Sequence, residues 1–174
     1  MADSLRQKLV DALLARLRTI LVSGGYETNL GRNVMEWRNL ETNPWKETDF
    51  IAEADQSAIN VKDKSEPGDN STIQGRHLKT LQFELELATN KAVVSASDAT
   101  LSVAHQLRKL LADVEKSLQG YQGVSAWITT PRIHIISAIS VSDIHVSEVG
   151  NVLGYAAMAF SMEYTTRPSD PYNQ

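Results

Sequence analysis

Cysteine is absent from all 174 residues, so disulfides and thiolate metal ligands are excluded from the start. That absence suits a reducing compartment. A dominant charge sign is missing as well. The 17 Lys and Arg against 21 Asp and Glu leave a formal charge of −4, which provides no broad electrostatic attraction to nucleic acid or anionic membrane. Long apolar runs are missing too. Residues 1–22, MADSLRQKLVDALLARLRTILV, are too interrupted by charge to serve as a signal-peptide core or a membrane span. The expectation is a protein that works where it is made, or that leaves the cell as part of something larger. Catalytic signatures are also lacking: there is no G-x-S-x-G, no P-loop, no G-x-G-x-x-G and no H-E-x-x-H. Internal repeats and clear linkers are absent.

What is present is ordinary globular composition, 42% hydrophobic and 22% charged, in a length that suits one domain with a core of its own. Leu5, Leu9, Leu13, Leu17 and Leu21, with Val10, Leu14 and Ile20, form the apolar stripe of an amphipathic helix. Ser4 and Gln7 fit a capping box, and Gly24–Gly25 is expected to supply the left-handed stop. A basic membrane helix is the alternative reading. The acidic residues on the polar face, and the need for a helix to cover a sheet, favour a core helix. Short strands are expected at 33–38 and 57–62, with Trp37, Trp45 and Phe50 anchoring the region around them.

The clearest element is HLKTLQFELELATN. Leu81, Phe83, Leu85 and Leu87 alternate with Gln82, Glu84 and Glu86, the mark of a strand with one buried and one wet face. Asp98 is expected to cap a second helix over 99–118, with Val103, Ala104, Leu107, Leu110, Leu111, Val114 and Leu118 on its apolar face and Gly120 as its stop. RIHIISAISVSDIHV then reads as a strand whose apolar phase slips from odd to even positions, which predicts a bulge or bend near Ser142–Asp143. After a turn at 148–151 the last strand alternates Met158, Phe160, Met162 and Tyr164 with Ala159, Ser161 and Glu163. Pro168 and Pro171 stop it, since neither can donate to a ladder. The predicted fold is α+β: an antiparallel sheet with two helices packed on one face, a long mobile loop at 63–76 and a C-terminal extension at 167–174.

Candidate chemistry is sparse. Asp143 and His145, with His134, are the residue types of a facial metal site, but no fourth ligand is suggested and strand-edge His and Asp are commonly surface residues. Glu84 and Glu86, about 7 Å apart along one strand face, have the spacing of paired catalytic carboxylates, yet simple alternation on a solvated face accounts for them. Lys and Arg are scattered among acids rather than clustered with aromatics, which speaks against nucleic-acid binding. Strong core patterning, a polar loop and a polar tail describe a protein that works through its surfaces.

The order of these parts resembles the small tail-terminator (tail-completion, minor tail) proteins of long-tailed bacteriophages and prophages. The resemblance rests on the helix leading into GGYETNLGRNV, the strand RHLKTLQFELELAT after a variable loop, the helix ATLSVAHQLRKLLADVEKSL, and the closing AAMAFSMEYTTRPSDPY. It implies a non-enzymatic, cofactor-free virion protein at the head-proximal end of the tail, assembled in the bacterial host cytoplasm. Such proteins form a ring, typically of six copies, that caps the tail tube, stops its polymerisation and offers a docking surface to the head connector. DNA passes through such a ring without specific binding. The residues expected at contacts between copies, or with the tube protein and connector, are Asp63, Lys64, Glu66, Asp69, Arg76, Arg167, Asp170 and Tyr172. Two alternatives stand beside this reading: a head-completion or connector component, and a small metal- or ligand-binding enzyme domain using the His134, Asp143 and His145 face.

Overall fold

A strand whose apolar residues recur at every second position buries the face they share, and β4 (Arg76–Lys91) does so with Leu81, Phe83, Leu85 and Leu87 at the centre of the sheet. The structure, a computed structural model, describes residues 4–36, 57–64, 72–73, 75–91, 96–119, 133–141, 145–147, 152–167 and 170. For 72–73, 90–91, 96–101, 119, 133–139, 145–147 and 152–153 it describes the backbone alone. β7 (Val152–Thr166) pairs antiparallel with β4 without a break from His77↔Thr166 to Lys91↔Val152. This ladder of fifteen pairs is about 50 Å long at roughly 3.4 Å per residue.

On the other side of β4 lies β2 (Ser57–Asp63), and beyond it β1 (Val34–Glu36). Beyond β7 lie β5 (Ile133–Val141) and the short β6 (His145–Ser147). β3 (Thr72–Ile73) adds to the start of β4, so five strands run in the order β1-β2-β4-β7-β5 with two short ones attached. The architecture is α+β, as expected, with one correction: β1 pairs parallel with β2, so the sheet is mixed rather than wholly antiparallel. Parallel neighbours need a long crossover, and the chain provides twenty residues between Glu36 and Ser57.

Both helices cover one face. Along β4, Leu81, Phe83, Leu85 and Leu87 stand opposite Met162, Phe160, Met158 and Ala156 of β7, and all are buried. The Phe83 and Phe160 rings stack across the ladder with centroids 5.3 Å apart. α2 (Ala96–Gln119) lies on β4 and β7, contributing Val103, Leu107, Leu110, Val114 and Leu118. α1 (Leu5–Leu17) packs beside α2 toward β1 and contributes Leu5, Leu9, Val10, Leu13, Leu14 and Leu17 to the same core. Gly154 sets how closely α2 approaches β7. A Cβ there would stand 2.4 Å from Val103 Cγ1 and 2.6 Å from Leu107 Cδ1, so only glycine fits beneath the helix.

The helix ends differ from expectation in instructive ways. The Ser4 hydroxyl accepts from the Gln7 amide at 3.2 Å, the N-cap half of the expected capping box, while the Gln7 side chain donates to Asp11 at 2.9 Å. α1, however, stops at Leu17, well before the glycines, because the Thr19 hydroxyl and amide both turn back to the Arg16 carbonyl. Ile20 still reaches the core, and Gly25, at φ 84°, ends a separate 3-10 turn. α2 begins at Ala96, three residues earlier than expected, so Asp98 falls in its first turn instead of outside it as a cap. The connection from α1 to β1 is held against α2 by a buried carboxylate. Asp113 accepts from the Glu27 amide (3.1 Å), the Thr28 amide (2.8 Å) and the Thr28 hydroxyl (2.7 Å). Lys116 reinforces this by donating to the Gly25 carbonyl and lying over the Tyr26 ring.

The stretch read as one mobile loop, 63–76, is partly built into the sheet. Asp63 ends β2, and Thr72–Ile73 pairs with Arg76–His77 around Gly75, whose φ of 74° only glycine adopts freely. Within β5 there are two register shifts: pairing with β7 advances by two residues against one between Ile133 and Ile135, and by three against two between Ser137 and Ser140. The bend expected near Ser142–Asp143 lies outside the described residues, as do Trp37, Trp45, Phe50, Gly120 and the turn at 148–151.

Replacing Gly154 by Ala is expected to overpack the α2–β7 contact and lower stability by about 1–3 kcal/mol. In the double variant V103A/G154A much of that loss should return, measured by chemical denaturation as a double-mutant cycle.

Candidate functional site

With the helices on one side, the opposite face of the sheet is where polar side chains gather. It is built from the even positions of β2 and β4 and the odd positions of β7, because cross-strand partners share a face. Asn60 stands opposite Glu86, Lys62 opposite Glu84, Glu84 opposite Ala159, and Gln82 opposite Ser161.

Glu86 is fully buried at 0% exposure, the largest departure from the expected solvated carboxylate face. Its charge is matched on every side described. Asn60 Nδ2 donates to Oε2 at 2.7 Å, Lys62 Nζ donates to Oε1 at 2.6 Å, and the Tyr155 hydroxyl reaches the same Oε1 at 3.3 Å. Three donors on two oxygens are what a buried carboxylate needs in order to stay charged without stranding a lone pair. Glu84 is engaged by Lys64 instead, so the two carboxylates belong to two separate ion pairs and do not form an acid–base couple. The pairing was readable in principle. Asn60, Lys62 and Lys64 alternate through NVKDK with the same period as Glu84 and Glu86, in the complementary sign.

Beside these pairs runs a shallow groove of about 250 Å³, lined by Lys64, Gln82, Phe83, Ser140, Ala159, Phe160 and Ser161. Ser140, Ala159 and Ser161 leave it open over the β4–β7 ladder. The groove lies alongside the register shift between Ser137 and Ser140, where β5 carries one residue more than β7.

The residues singled out from the sequence are placed as follows. Asp63 is not on a loop but on the helix side at the end of β2. There it is buried, and its Oδ2 accepts from Arg6 Nε (2.7 Å) and Nη2 (2.5 Å), tying α1 to the sheet. Lys64 is exposed; it pairs with Glu84 and donates its amide to the Gln82 carbonyl. Arg76 is exposed at the start of β4, opposite Ile73. Arg167 and Asp170 form a bridge in which the Asp170 amide donates to the Arg167 carbonyl at 3.1 Å. The structure thus separates Asp63 and Lys64 from Arg76 and Arg167 along the length of β4 and does not gather them into one patch. Glu66, Asp69 and Tyr172 lie outside the described residues. Asp143 does too, whereas His134 falls at the first register shift and His145 stands opposite Tyr155. Among the described residues no cluster of His, Asp or Glu is arranged to hold a metal ion, and no helix is long and apolar enough to cross a membrane.

Glu86→Gln should leave Lys62 facing a neutral amide in a site that offers it little water, for a loss of up to roughly 3 kcal/mol. E86L combined with K62M is expected to recover most of that loss in thermal or urea unfolding, because both charges leave together.

No protein-family model matches the chain, and no curated protein matches it.

Proposed function

We propose that this chain is a phage tail-terminator-like structural protein, working as a ring of copies that caps a tail tube and presents a docking surface to a head connector. The observation that carries the reading is the one-sided sheet. Both helices cover one face, while around Gln82, Ala159 and Ser161 the other face presents short and polar side chains. A subunit of this form has two unlike faces and two unlike lateral edges. Unlike surfaces make heterologous contacts, which yield a ring when the rotation between copies closes. The order of α1, central strand, α2 and closing strands agrees with the layout on which the resemblance rests. The proposed location is the head-proximal end of the virion tail, with assembly in the host cytoplasm, and the proposed partners are further copies, the tube protein and the connector. The mechanism is mechanical: contacts that close on themselves limit growth, and no bond is made or broken.

Light scattering over a concentration series, with and without tube protein, should show a closed multimer, with annuli by electron microscopy. Removal of 167–174 should weaken that assembly. A chain that remains monomeric at every concentration, tube protein included, rules the reading out.

A further inference from the structure

The segment Ile133–Val141, IHIISAISV, has four isoleucines and a valine in nine residues, no proline and no charge at neutral pH. Six or seven such residues in regular strand geometry are the signature of a self-pairing, aggregation-prone segment. The fold places this segment at a sheet edge. β5 follows β7 at the end of the strand order, and no described strand lies beyond it. At its exposed end Val141 keeps 49% of its surface in water. A straight strand of this composition would template the addition of another chain.

The register shows that the strand is not straight. One extra residue enters between Ile133 and Ile135, and a second between Ser137 and Ser140. The uninterrupted runs that remain are Ile135–Ser137, Ser140–Val141 and His145–Ser147, none longer than three residues. An added strand bonds to every second residue of an edge, and each inserted residue moves the next outward amide and carbonyl out of step. The opposite edge, β1, is itself only three residues long. Among the described residues, both lateral edges of the sheet are therefore shorter, in regular geometry, than an ordinary strand.

We infer that the two bulges close the β5 edge to strand addition, so that any association of copies uses side-chain surfaces and does not extend one sheet into the next. The inference stands on the register alone. It also bears on the ring proposed above, because it assigns the contacts between copies to faces and side chains.

The bulge between Ser137 and Ser140 can be tested by itself. Deleting Ala138 leaves Ser137↔Ser161 and Ser140↔Ala159 in place and pairs Ile139 with Phe160. The longest regular run thereby grows from three residues to six, Ile135 to Val141 less the deleted one. This variant is expected to lose its soluble species to strand-paired dimers or thioflavin-positive fibres, while wild type does not. If the deletion variant folds, by circular dichroism and cooperative melting, and keeps the wild-type mass at all concentrations, the inference is overturned. Hydrogen exchange of the unmodified protein decides the case independently of that variant's folding. The outward amides of β5 should exchange without protection at low and at high concentration, even where scattering shows assembly. Concentration-dependent protection confined to those amides would show a strand added to the edge and refute the inference. A wild-type protein that never assembles would remove the ring reading and leave this one standing.

Discussion

The fold depends on one constraint, the alternation of β4 held in register by β7 over fifteen consecutive pairs. Because strand side chains alternate with a period of two, fixing a single pair fixes the facing of all thirty positions. Phe83 against Phe160 and Leu85 against Met158 then point at the helices, and Glu84, Glu86, Ala157 and Ala159 point away from them. α2 can lie flat on this surface because Gly154 leaves room beneath Val103 and Leu107. α1 reaches the same core at one remove, tied to the sheet by Arg6 on Asp63 and to α2 by Arg16 Nε on the Ser117 carbonyl. Burial of this layer is the main favourable term, and the polar contacts determine which arrangement of it is unique.

The two polar devices differ in kind. Asp113 satisfies backbone amides and a hydroxyl that would otherwise lack partners on turning from α1 to β1, which is local bookkeeping of hydrogen bonds at a loop. Glu86 instead joins three strands through Asn60, Lys62 and Tyr155. A buried ion pair adds little net stability over an apolar replacement, but a half-satisfied one is costly, so the group discriminates between arrangements more than it strengthens any one of them.

Much of this was legible in the sequence where periodicity and burial agree. The stripe Leu5 to Leu17, the alternation Leu81 to Leu87 and the alternation Met158 to Tyr164 each predicted a buried face, and each is buried. Legibility failed where a side chain's environment is set by a distant strand. Glu86 reads as solvated until Asn60 and Lys62 are placed beside it, and Asp63 reads as part of a loop until Arg6 reaches it from α1. It failed also where direction, not type, was at issue: β1 was recognisable as a strand, but nothing in three residues states that it runs parallel to β2. The phase slip in IHIISAISVSDIHV announced an irregularity. Only pairing with β7 shows that there are two within β5, since two slips in succession restore the original phase and hide each other.

Glu86 has a consequence for how the chain finds its partner strands. Were β2 to zip onto β4 one position out of step with its facing reversed, Asn60 and Lys62 would turn toward the helices and Glu86 would lose both. The mistaken pairing would then suffer two faults together, polar groups driven into the greasy layer and an orphaned anion left behind. Wrong alignments of this sheet are thus short-lived by construction, and the search for the correct one is pruned early.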